Sequence, residues 1–206
     1  MTGAVFLSAS VPDPASENFH ADADSVAVAS AVKALVYVLL GRRKLVWGGH
    51  PAITPMVAAA ASSLNVDYQS WVTLYQSRYF LGEFPEENTQ FDNVVLTKKV
   101  DNSLSESLAL MRHQMFSDHT FSCGIFIGGM KGVVAEFELL HEICPQAKRI
   151  PVISTGGATT FLAEIANHSE LDLDRLSHDI DYVPLMHDLC DVSYGESRLQ
   201  YPKGHA

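Results

Sequence analysis

The residue pattern with the clearest chemical content is Gly128-Gly129-Met130-Lys131-Gly132-Val133-Val134-Ala135-Glu136. It follows an apolar run, Cys123 to Ile127, rich in β-branched and aromatic residues. It precedes a stretch with Val133, Phe137 and Leu140 on one helical face. The order strand, glycine turn, helix leaves open amides and the positive end of a helix dipole at the turn, which favours an anion there. Glu136 lies four residues after Gly132, shares its helix face and can look back toward the turn. A carboxylate in that place repels phosphate. It suits a sugar hydroxyl or an N-glycosidic centre. The competing description is an ordinary βα turn with a solvated glutamate, and a glycine motif alone does not separate the two.

Other candidates repeat the arrangement. Trp47-Gly48-Gly49-His50 ends a second apolar run, and Thr54-Pro55 opens a helix after it, with Thr54 as the expected N-cap and Pro55 at a first helical position. Ser154-Thr155-Gly156-Gly157 closes a third run from Lys148. Ser8, Ala9 and Ser10 end the first strand, where hydroxyls reach a phosphate, a ribose or their own backbone. Arg78 follows a strand beside Tyr79 and Phe80, and Arg112 lies on a helix leading back to the central strand. Each arginine serves as a fixed cation for ligand or as a partner for an acidic neighbour. In an open parallel sheet the strands' carboxyl ends share one edge, so the three Gly-Gly turns are expected to converge there.

The elements that must position these residues read as alternating strands and helices. Strands are expected at Ala4 to Pro12, from Lys44, at Ser70 to Tyr75, at Phe91 to Thr97, at the run before Gly128 and from Lys148. Ser25 to Gly41 is an Ala/Val/Leu-rich helix whose near-uniform apolarity calls for both the sheet and a neighbour, such as a second subunit. Ser103 to Phe116 is a helix with a Ser103/Glu106 capping box and a buried stripe of Leu104, Leu108, Met111 and Met115. Asp13 to Asp24 (with Phe19 and His20) and Pro85 to Asp92 read as loops or lids. The tail carries His168, Asp172, Asp174, His178, Asp179, Asp181, His187 and Asp188. It reads as a solvated helix face and a last strand, Tyr182 to Met186, with Arg198 to Ala206 expected to fray. The expectation is a single α/β domain over residues 1–206, a Rossmann-like parallel sheet flanked by helices, with its core at about 4–168 and an acidic extension at 169–206.

Composition narrows the partners. A net charge of −10 over 206 residues provides no broad basic surface for a nucleic-acid backbone. No apolar run reaches membrane-spanning length, and no signal-peptide layout opens the chain. Three cysteines without metal-motif spacing fit a reducing cytoplasm, and neither a metal nor another cofactor is expected.

On the residues Leu7-Ser8-Ala9-Ser10, Trp47 to Pro55, Gly128 to Glu136 and Ser154 to Ala158, the sequence resembles the SLOG superfamily over roughly Val5 to His168. This Rossmann-like group contains the LOG phosphoribohydrolases and the sensor domains of bacterial conflict systems such as Thoeris anti-phage effectors. The resemblance implies ligand contacts from Ser8, Ala9, Ser10, Gly48, Gly49, His50, Thr54, Arg78, Arg112, Gly128, Gly129, Met130, Lys131, Gly132, Glu136, Thr155, Gly156 and Gly157. It implies catalytic roles for Arg112 and Glu136 if the protein is an enzyme. The LOG motif is Pro-Gly-Gly-x-Gly-Thr-x-x-Glu; here Ile127 replaces the proline, one residue is added before Gly132, and Val133 replaces the threonine. These departures resemble the sensor branch, which implies binding of an NAD-derived signal such as a cyclic ADP-ribose isomer, a homo-oligomer and possible action on an effector protein. The alternative is a nucleotide phosphoribohydrolase cleaving an N-glycosidic bond.

Overall fold

The computed structural model describes residues 3–13, 22–64, 68–166 and 172–199. Six strands, β1 (Ala4–Ser10), β2 (Leu45–Trp47), β3 (Val72–Ser77), β4 (Asn93–Thr97), β5 (Phe121–Gly128) and β6 (Lys148–Val152), form one sheet. Its order is β4-β3-β2-β1-β5-β6, and every pairing is parallel. The chain builds outward from β1 to β4, then returns across the sheet and resumes at β5 on the other side of β1. That reversal creates a crevice at the carboxyl ends of β1 and β5.

Period-two alternation splits the strand residues between two apolar layers. Val5, Leu7, Leu45, Trp47, Ile125 and Ile127 face one way, into a layer shared with α1 (Ser25–Leu39), α2 (Thr54–Ser62), α6 (Leu173–His178) and α7 (Tyr182–Leu189). Phe6, Val46, Tyr75 and Phe126 face the other, against α3 (Leu104–Ser117), α4 (Lys131–Ile143) and α5 (Ala158–Ile165). The expected α/β Rossmann-like architecture is what the described residues form. Among them, no helix is long and apolar enough to cross a membrane.

Several elements differ from their sequence reading. The stretch expected as a last strand, Tyr182 to Met186, is the helix α7. Its apolar positions Tyr182, Leu185 and Met186 are buried at helical spacing, and Pro184 sits in the first turn, where a missing N–H costs no intrahelical bond. α7 packs on α1. The neighbour that α1 requires is thus supplied within the chain. Leu176, Tyr182, Leu185, Met186, Cys190 and Val192, all in the stretch read as an acidic extension, belong to the core. Arg198 and Leu199, in the stretch expected to fray, donate to the carbonyls of Leu40 and Gly41.

On α3 the Ser103 cap holds, its hydroxyl accepting from the Glu106 amide. Leu104, expected in the buried stripe, is exposed. Ser107 is buried one turn on instead, with its hydroxyl donating to Ser103 O and accepting from Val100 N. Phe19, His20 and His168 lie outside the described residues.

Candidate functional site

The turn after β5 depends on glycine. Gly128 and Gly129 have φ of 58° and 91°, in the left-handed region that side chains disfavour. The amides of this pair are already engaged: Gly128 N donates to Thr155 Oγ1 at 2.8 Å and Gly129 N to Ser10 O at 2.8 Å. Gly129 O accepts from Ala158 N at 2.9 Å. The glycine pair Gly156-Gly157 packs against Gly128-Gly129 and against the entry to α1. Gly157 N donates to Asp22 Oδ1 at 3.3 Å, and a Cβ on Gly156 would fall 1.9 Å from Asp22 O. Gly128, Gly129, Thr155, Gly156 and Gly157 are therefore joined to one another and to neighbouring backbone. The open amides of the α4 entry are those of Met130, Lys131 and Gly132, none of which donates to another described residue.

From that entry α4 projects Glu136 over the end of β1. Arg112, on α3, donates from Nε to Glu136 Oε1 at 3.0 Å. Ser8, on β1, donates from Oγ to Oε2 at 2.5 Å. The pair is largely withdrawn from water, with side-chain exposures of 17% for Arg112 and 14% for Glu136. Ser8 thus bonds to the carboxylate instead of standing open to ligand. Gly132 makes room for the arginine: a Cβ there would approach Arg112 Nη2 to 3.2 Å.

The second glycine turn closes on the pair from the other side. A Cβ on Gly48 would lie 3.3 Å from Met111 Cε and 3.9 Å from Glu136 Oε1. Gln76, buried at the end of β3, donates to Gly49 O at 3.0 Å and occupies the space a Gly49 side chain would need. His50 Nδ1 accepts from Ala52 N at 3.2 Å, which leaves the neutral ring's proton on Nε2. Burial lowers the His50 pKa from 6.5, partly opposed by the Glu136 charge. Thr54, expected as an N-cap, is fully buried inside the first turn and donates to His50 O; Ile53 holds the cap position.

Together these groups wall a cavity of about 260 Å³. Of the expected contacts, it brings together Ala9, Ser10, Gly48, Gly49, His50, Arg112, Gly132 and Glu136. Ser8 lies beneath Glu136, Arg78 is exposed, and Thr54, the Gly128–Lys131 stretch and the third turn are not in its lining. The lining also includes residues the sequence reading did not assign: Trp47, Gln76, Phe80, Phe84 and Met111 among them. The available signal was position, since Gln76 and Phe80 end or follow β3 at the sheet's carboxyl edge.

Gly132 offers a direct test of this packing. Gly132→Ala should hold or raise stability by up to about 1 kcal/mol, because alanine favours a helix. It should at the same time weaken, severalfold, the binding of an anion that meets Arg112, by displacing the guanidinium. Thermal denaturation and calorimetry on one preparation check the opposed signs; a variant that loses stability and affinity together refutes this account.

Residues 18–190 match the model of the SLOG cluster3 family. No curated protein matches the chain.

Proposed function

The chain belongs to the SLOG cluster3 family, and from that premise we propose that its cavity binds a ribonucleotide and reports the ligand's presence without consuming it. The observation that carries this reading is Glu136, fixed at the cavity wall by Arg112 and Ser8. A carboxylate has about four lone-pair positions. Two remain after those bonds, and they match the two hydroxyls of a ribose. The ligand phosphate meets the open amide of Gly132, in the first turn of α4, and the outer nitrogens of Arg112, so local donors hold it despite the net charge of −10.

Size constrains the ligand further. A cavity of about 260 Å³ is smaller than the roughly 300–1,000 Å³ typical of sites that enclose drug-sized molecules. It takes one ribonucleoside phosphate unit, either alone or as the inserted part of a larger NAD-derived signal such as a cyclic ADP-ribose isomer. The reading extends to a bacterial anti-phage or conflict system, where occupancy acts on a second copy of the chain or on an effector protein. The second reading, N-glycosidic hydrolysis, is supported by the Arg112–Glu136 pair, since a fixed carboxylate beside a sugar can stabilise an oxocarbenium-like state.

Calorimetric titration with AMP, NAD and cyclic ADP-ribose isomers, with chromatography of the same samples, tests both. The expected result is saturable binding with no released base. Failure of every nucleotide to bind overturns the proposal, and release of base moves the function to hydrolysis.

A further inference from the structure

The cavity is chemically lopsided. One end holds Glu136, Arg112 and the α4 entry, where the two side-chain charges oppose one another across a direct bond. The other end is built from Phe80, Glu83, Phe84 and Pro85, with Trp47 and Leu108 alongside. Among the described residues, Glu83 makes no ion pair, and its carboxylate, on an exposed residue at the cavity rim, accepts no hydrogen bond from the fold. With His50 neutral, it is the uncompensated charge of the lining. The surrounding chain amplifies it: residues 79–97 contain Glu83, Glu86, Glu87 and Asp92 and no lysine, arginine or histidine. The nearest basic side chains in sequence lie outside the lining, with Arg78 and Lys98 exposed and Lys99 Nζ over the Tyr79 ring at 5.3 Å.

Aromatic rings beside an unpaired carboxylate attract a flat cation, through ring quadrupole and Coulomb attraction together. We propose that this end of the cavity selects a nucleotide whose base carries a positive charge, of the N-ribosyl pyridinium class, over nucleotides with neutral bases. This inference rests on the ribonucleotide reading and adds the ligand's charge distribution to it: a phosphate at the α4 entry, the ribose at Glu136 and the cationic ring against Phe80, Phe84 and Glu83.

Nicotinamide mononucleotide and its dihydro form provide the test, because they share a skeleton and differ by the ring's positive charge. AMP is the neutral-base reference. The full chain should bind the pyridinium form about fivefold more tightly than the dihydro form, the upper scale of an exposed charge contact. Glu83→Gln should bring that ratio close to one. Glu86→Gln, the same charge change at a residue that is exposed like Glu83 but lies outside the lining, should leave it intact. Equal or tighter binding of the dihydro form overturns the inference, as does a ratio that survives Glu83→Gln. If AMP binds and the pyridinium form has no advantage, only this inference falls; if none of the three binds, the ribonucleotide reading falls with it.

Discussion

Glu136→Ala is expected to weaken nucleotide binding by about 1–3 kcal/mol, roughly five- to 150-fold. In the proposed binding mode, the truncation removes the acceptors that Glu136 would offer a ribose. It also strips Arg112 and Ser8 of the group that both now donate to, so the donors that shape the wall lose their anchor. Glu136→Gln is milder. Its amide oxygen can take the Arg112 bond, and its NH2 can donate to Ser8 Oγ, leaving fewer acceptors for the sugar. Affinity should therefore fall in the order wild type, glutamine, alanine, with no base released by any of the three. A hydrolase behaves differently. There the glutamine variant binds nearly as well as wild type yet loses base release by orders of magnitude, because an amide does not stabilise developing positive charge as a carboxylate does. Calorimetry with chromatography distinguishes the two: a tightly binding Glu136→Gln protein beside a wild type that releases base overturns the sensor reading.

The largest stability effect is expected from Gly156→Ala. Gly156 has φ 67° and ψ −160°, a combination that is essentially restricted to glycine and costs another residue about 1–3 kcal/mol. The added Cβ would also meet Asp22 O at 1.9 Å and Ala23 Cα at 3.0 Å. Those are backbone atoms, so relief requires moving the entry of α1. A combined loss of about 3 kcal/mol or more corresponds to a Tm lower by roughly 6–12 °C in a domain of this size. Gly82→Ala is the matched control. Gly82 also has positive φ, at 100°, but its Cβ would meet nothing within 4 Å. Its Tm should drop by only a few degrees. If Gly156→Ala melts within two degrees of wild type, the interlock between the third glycine turn and α1 is refuted.

Local patterns were legible where one surface decides the outcome. Val133, Phe137 and Leu140 were expected on the buried face of α4, and those are its buried residues. The glycine turns were legible as turns, since positive φ leaves a residue-type signature. Their partners were not: nothing in Gly128-Gly129 or Gly156-Gly157 distinguishes an amide open to phosphate from one bonded to Ser10 or Asp22 across the fold. Ser8 illustrates the same limit. Its position at a strand end allowed a ligand or its own backbone as partner, whereas its bond goes to a glutamate 128 positions away in sequence. Tyr182 to Met186 was misread because a short apolar run with a proline fits a buried strand as well as a helix's first turn; the exposed flank of α1, seen only in three dimensions, selects the helix. Phe80 and Phe84 were hidden by their place in a single 3-10 turn and the loop after it, where apolar residues carry no periodic signal.

The reversal of strand order at β1 has a mechanical consequence. The run β1–β4 and the pair β5–β6 meet along a single hydrogen-bonded seam, β1 against β5. The cavity straddles that seam: Gly48, Gln76 and Phe80 come from one side of it, Gly132 and Glu136 from the other, and Arg112 from the helix that carries the chain across. A molecule touching both banks acts as a rivet through the joint. It resists sliding of one half past the other, and by mass action its binding free energy is added to the cohesion of the whole sheet.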